Sequence, residues 1–185
     1  MLGISRQRGV SLIEVLVAVV IFSVAVLGIA LLQLKGAQYT KQSGVRTVAV
    51  LQAGSLADSM RANPAGVYGV ANISDITALN GSVSGSYYSY DGKTQPTTSG
   101  CGNAACTQAK NDLIAWLTQL QNGTSATITS GTTKPVMASV QPNPNGLGTL
   151  TITVNWNGLV PNQTTGTSSN ESYQFDFQPA LQNVQ

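Results

Sequence analysis

The chain has 185 residues, a formal net charge of +2, only 9% charged side chains and no histidine. That length holds one domain of ordinary size, or a smaller domain plus an anchor. The missing histidine removes the usual base of a Ser or Cys triad, and the faint charge offers no basic field for nucleic acid; polarity comes instead from Ser, Thr, Asn, Gln and Gly, a composition suited to a secreted or surface protein.

The start of the chain, MLGISRQRG, is short, polar and basic. An apolar run follows to Leu34, interrupted only by Ser11, Glu14, Ser23, Gly28 and Gln33. Val15 to Leu32 makes about 27 Å of helix at about 1.5 Å per residue, and the bilayer hydrocarbon is about 30 Å thick. With Val10 to Ile13 added, the segment is long enough to span. Arg6 and Arg8 place the leader on the cytoplasmic side by the positive-inside rule, with the rest of the chain outside. If residues 1–9 are removed, seven basic side chains face seven acidic ones. A secretory signal peptide would need a small-residue cleavage site after the apolar run, and none stands there. A plain uncleaved anchor explains the length but not Glu14, which costs roughly 2.5–3.5 kcal/mol inside a spanning segment.

From Lys35 to Arg61 there is no proline, and Val45, Val48, Ala49, Ala53, Leu56, Ala57 and Met60 form one apolar helical stripe. Asn63-Pro64 breaks the pattern, because the residue before proline avoids the helical region. One helix is expected from about Ser11 to Ala62, apolar all round in its first half and amphipathic in its second. Gly28, Gly36, Gly44 and Gly54 mark places for bending or for close helix packing.

Asn63 to Gly100 reads as turn-rich, with Tyr87, Tyr88 and Tyr90 as a short strand or a surface patch. Cys101 and Cys106 are the only cysteines, and in an oxidising compartment they make one small disulfide loop that fixes a surface turn. A metal site is the rival reading, with no histidine and no second Cys pair to complete it. The stretch after Cys106 predicts a helix whose Leu113, Trp116, Leu117 and Leu120 share a face, ending at Asn122-Gly123. Strands are expected at Ala126–Ser130, Val136–Gln141, Leu147–Trp156 and Ser172–Phe177, with a polar loop from Gly158 to Asn170. The fold class expected is therefore α+β: a long N-terminal helix packed on a C-terminal antiparallel β-sheet, with a short additional helix.

Gly9, Val10, Ser11, Leu12, Ile13 and Glu14, followed by about twenty apolar residues, resemble the signal of type IV prepilins. The resemblance implies cleavage after Gly9 by a membrane prepilin peptidase and N-methylation of Val10, where the family usually has phenylalanine. It places Glu14 fifth in the mature chain, as the residue that sets subunit register against a neighbour's terminal amine. A buried pair of that kind specifies geometry more than it stabilises. Leu56 to Gly66, the Asp112, Leu113 and Trp116 pattern, and Thr153 to Trp156 resemble minor pilins of the PilV type. The chain would then divide into a leader (1–9), a transmembrane and assembly half-helix (10–34), an amphipathic half-helix (35–62) and a globular head (63–185). The implied partners are the prepilin peptidase, other minor pilins, the major pilin, the inner-membrane assembly platform, a tip adhesin and the membrane itself. The implied route runs from a single-pass inner-membrane precursor with a periplasmic head to an extracellular filament serving pilus assembly, twitching motility and attachment. A pseudopilin of type II secretion, and an anchored surface binding domain that never polymerises, are the alternatives.

No catalytic or cofactor-binding constellation is visible, so the reading is of a non-enzyme. Asp75, Asp91, Asp112, Glu171 and Asp176 are scattered without metal-ligand spacing. Asn72, Asn80, Asn122, Asn162 and Asn170 each open an N-x-S/T match, as chance allows in a chain this rich in Asn, Ser and Thr. Trp116 and Trp156 are expected in the core.

Overall fold

The computed structural model describes residues 11–75, 81–124, 137–144, 148–161 and 168–179. Among them the elements run α1 (Leu12–Ala62), α2 (Pro64–Tyr68), α3 (Ala104–Thr124), β1 (Ala138–Pro142), β2 (Leu150–Pro161) and β3 (Ser168–Phe177). Contacts divide the chain into two compact units, residues 1–40 and 41–185, and α1 contributes to both.

α1 is a single helix of 51 residues, within a residue of the expected bounds. It passes through Gly28, Gly36, Gly44 and Gly54 without a break, and a Cβ added at any of them would meet nothing within 4 Å. Within this chain no close approach requires a glycine at those positions. α1 ends where Asn63 (φ −128°, ψ 66°) precedes Pro64. Asn63 then caps the next helix, its side-chain oxygen accepting from the Gly66 N–H at 3.1 Å, with proline at the first position where no N–H is needed. The helix stops at Gly69 in the left-handed region (φ 71°). α2 was not foreseen in the turn-rich stretch.

In the larger unit the three strands form one antiparallel sheet in the order β1-β2-β3. Ile152 stands opposite Val140 on one side and Phe175 on the other, and Leu150 stands opposite Phe177. Alternation along β2 buries Leu150, Ile152, Val154 and Trp156 while Thr151, Thr153 and Asn155 turn to the other face. Ala49, Ala53, Leu56, Ala57 and Met60 of α1 and Ala109, Leu113, Trp116, Leu117 and Leu120 of α3 complete the core over the apolar face. Each large side chain fully buried there contributes about 1.5–3 kcal/mol relative to exposure. This is the α+β, type IV pilin-like arrangement that the resemblance implied.

Four details differ from expectation. α3 begins at Ala104, before Cys106, and runs to Thr124. β2 and β3 extend into the stretch read as a loop, pairing as far as Pro161 with Ser168 across a register shift. Tyr87 and Tyr88 lie in turns, and only Tyr90 touches the sheet, exchanging backbone hydrogen bonds with Val140 at 2.8 and 2.9 Å. Tyr88 and Tyr90 are buried in the core rather than forming a surface patch. The strand expected at Ala126–Ser130 lies outside the described residues.

Candidate functional site

The N-terminal segment is the part of the molecule whose surface the fold leaves unexplained. Gly9 and Val10 lie outside the described residues. Ser11 opens the helix: its carbonyl accepts from the N–H of Glu14 at 3.0 Å and of Val15 at 3.3 Å. Glu14 stands in the first turn, exposed, where the positive end of the helix dipole favours a carboxylate. Around and after it the side chains are large and apolar, and they face outward: Leu12 is 91% exposed, Phe22 70% and Leu32 73%.

Such a surface is incompatible with water. A contiguous apolar face of this extent marks a membrane or protein contact. The helix holds an 18-residue stretch apolar enough to cross a bilayer, and none of that stretch is buried within the chain. Two of its hydroxyls are satisfied locally. The Ser23 hydroxyl donates to the Val19 carbonyl at 2.7 Å, and Thr40 to that of Gly36 at 3.0 Å, the arrangement that lets hydroxyls sit in a helix without water.

Residues 4–30 match the prokaryotic N-terminal methylation motif. The match takes in Arg6, Arg8, Gly9, Val10, Glu14 and most of the apolar run, and it indicates a type IV pilin-like or pseudopilin precursor. The exposed apolar helix and the motif together fit a membrane-anchored precursor. No curated protein and no solved structure matches the chain.

A second arrangement holds the head together. Cys101 and Cys106 are joined in a disulfide. It is not a surface loop alone, because Cys106 is buried in the first turn of α3. Asn103 caps that turn: its side-chain oxygen accepts from the Cys106 N–H at 2.8 Å, and its amide donates to the Tyr87 hydroxyl at 3.0 Å. Nearby, the Tyr88 hydroxyl donates to Asp112 Oδ2 at 2.5 Å, and Gln108 Nε2 donates to Asp112 Oδ1 at 2.7 Å. Asn63 Nδ2 reaches both the Tyr88 hydroxyl, at 3.4 Å, and the Ala105 carbonyl, at 2.9 Å.

The network ties the end of α1, the start of α3 and the tyrosine turn to one another. Burial first, then the hydrogen bond to Asp112, pushes the Tyr88 pKa well above its ordinary value. Burial alone raises that of Tyr68, and burial with the charge of Asp91 raises that of Tyr90. In the sequence Asp112 belongs to a helical pattern with Leu113 and Trp116, and nothing in that pattern points to Tyr88. The signal available was an acid on the helix turn before Trp116, opposite a cluster of tyrosines. Among the described residues no three His, Cys, Asp or Glu side chains gather as a metal site.

Proposed function

We propose that this chain is a minor pilin of a type IV pilus, clipped after Gly9, methylated on Val10 and drawn into the filament through its N-terminal helix. The observation that carries the reading is the conjunction of the methylation motif at residues 4–30 with a helix that begins beside Glu14 and whose apolar stretch is not buried within the chain. A lone acid in a spanning segment needs a partner. Cleavage after Gly9 creates one, the α-amine of Val10, on this chain or on a neighbour. Glu14 then sets the axial register of the incoming subunit. Residues 1–9 are the leader, 10–34 the membrane and assembly half of the helix, 35–62 its amphipathic half and 63–185 the head.

On this reading the precursor spans the inner membrane once with its head in the periplasm. The prepilin peptidase and the inner-membrane platform act on it, and it joins other minor pilins and the major pilin to prime assembly near the tip, beside any adhesin. The position of the cysteines supports a minor subunit, since major pilins usually close a loop at the C-terminus and here the bridge lies mid-chain.

The test is deletion and complementation in the parent bacterium, with filaments counted by electron microscopy and the head located by immunogold on sheared pili. Few or no filaments in the deletion, with label at filament ends in the complemented strain, is the expected result. Normal piliation with a defect in protein secretion would move the chain to a secretion pseudopilus. Label along the filament length would contradict the tip placement.

A further inference from the structure

Between α1 and α3 in the larger unit lies a cavity of about 80 Å³, with Asp112 and Trp116 on one side and Ser55, Leu56 and Ser59 on the other, and with Gln119 at its edge. We propose that this cavity takes the guanidinium head of an arginine side chain presented by a partner polypeptide.

Three observations lead there. First, Asp112 is partly buried and makes no ion pair with any described Lys or Arg; Arg61 pairs with Asp58. Its two hydrogen bonds come from neutral donors, the Tyr88 hydroxyl on Oδ2 and Gln108 on Oδ1. An ionised carboxylate has about four lone-pair sites, so each oxygen retains acceptor capacity, and a partly desolvated carboxylate without a counter-charge is the group that gains most from a cation. Second, the remaining lining accommodates a cation: Trp116 and Leu56 lend apolar contact, while Ser55, Ser59 and Gln119 carry side-chain oxygens that accept. The Ser59 hydroxyl spends its proton on the Ser55 carbonyl at 3.3 Å, leaving its oxygen free to accept. Third, size selects the tip of a side chain. A single water needs roughly 10–15 Å³ by this measure, so 80 Å³ holds a group of a few heavy atoms, the size of a side-chain tip.

The fork of a guanidinium fits two carboxylate oxygens better than the point charge of an ammonium. The cavity does not involve the N-terminal segment, so it stands or falls independently of leader cleavage.

The test uses the full chain in detergent micelles, with the two indole N–H signals followed by NMR. A blocked Gly-Arg-Gly peptide is titrated beside the same peptide carrying citrulline, its neutral isostere, and beside methylguanidinium. The expected result is a saturable shift of the Trp116 signal with the arginine peptide, on the millimolar scale of a single charged contact (about 1 mM). The citrulline peptide binds at least about tenfold more weakly. Asp112→Asn keeps an acceptor for Tyr88 but removes the charge and weakens arginine binding to the same extent. Ser55→Leu fills the cavity without touching Asp112 and abolishes the shift. Equal shifts with arginine and citrulline, no saturation, or binding unchanged in both variants would overturn the proposal. No shift of the Trp116 signal with methylguanidinium would overturn the assignment to a guanidinium head.

Discussion

Removing one oxygen from Tyr88 probes the network that joins α1 to α3. In Tyr88→Phe the ring stays in its fully buried place. What is lost is the bond to Asp112 Oδ2 at 2.5 Å, the long bond from Asn63 at 3.4 Å and the equally long contact with the Ser59 carbonyl. A hydrogen bond to a charged group contributes about 1.5–3 kcal/mol. Asp112 keeps Gln108 and some solvent, so a loss of about 2 kcal/mol is expected. For a domain of 150–250 residues that corresponds to about 4–8 °C in Tm.

Both tryptophans, Trp116 and Trp156, lie in the unit formed by residues 41–185. Tryptophan-fluorescence melts of the full chain in detergent therefore follow the head while the anchor stays silent. The alkaline arm carries a definite sign. The Tyr88 pKa is raised in the folded state, so above its ordinary value of about 10 the unfolded chain releases that proton while the folded chain holds it. The Tyr88 contribution is complete below about pH 10 and declines as pH rises. The variant lacks the decline, and its deficit relative to the wild type narrows between pH 10 and 11. A deficit below about 0.5 kcal/mol at pH 7, or one that does not narrow, would refute the reasoning.

Gly69 is left-handed (φ 71°), and a Cβ there would stand 1.9 Å from the Gly85 carbonyl oxygen. Gly69→Ala should cost more than the 1–2 kcal/mol or so of the backbone conformation alone, whereas Gly85→Ala, which meets nothing within 4 Å, should stay within about 1 kcal/mol; comparable melts for the two would contradict this. Reducing the Cys101–Cys106 bridge, or replacing both cysteines by alanine, should cost about 2 kcal/mol, read as the gap between melts with and without reductant. Superimposed melts would mean that the bridge anchors nothing. Glu14→Leu relieves about 2.5–3.5 kcal/mol of insertion cost and should leave the protein in the membrane fraction while removing it from sheared filaments. Normal incorporation of that variant would rule out the register role.

The long helix was legible because two strong signals agree over its length: an apolar run of spanning size, then a stripe from Val45 to Met60 that stops at Asn63-Pro64. The sheet was legible in β2, where Leu150, Ile152, Val154 and Trp156 alternate with Thr151, Thr153 and Asn155. α2 was not, because five residues are too few for a period to show. It is fixed by the Asn63 cap, by Gly69 and by the distant Tyr87 N–H, which donates to the Gly66 carbonyl at 2.9 Å. The tyrosines misled for a related reason. Tyr88 and Tyr90 are two apart and both buried, which imitates a strand, yet Ser86 turns the chain there and only Tyr90 reaches β1. At the N-terminal segment, Glu14 stood out in the sequence because a charge in an apolar run demands an explanation. The partner of Asp112 did not, because it is set by a contact 24 residues away in sequence.

The claim on which the functional account rests is that the chain is processed as a prepilin. Intact-mass measurement of the membrane-extracted protein, from strains with and without the prepilin peptidase, addresses it directly. The account predicts loss of residues 1–9 and gain of one methyl group on Val10 only when the peptidase is present. A full-length mass in both strains would contradict it and leave an anchored surface domain.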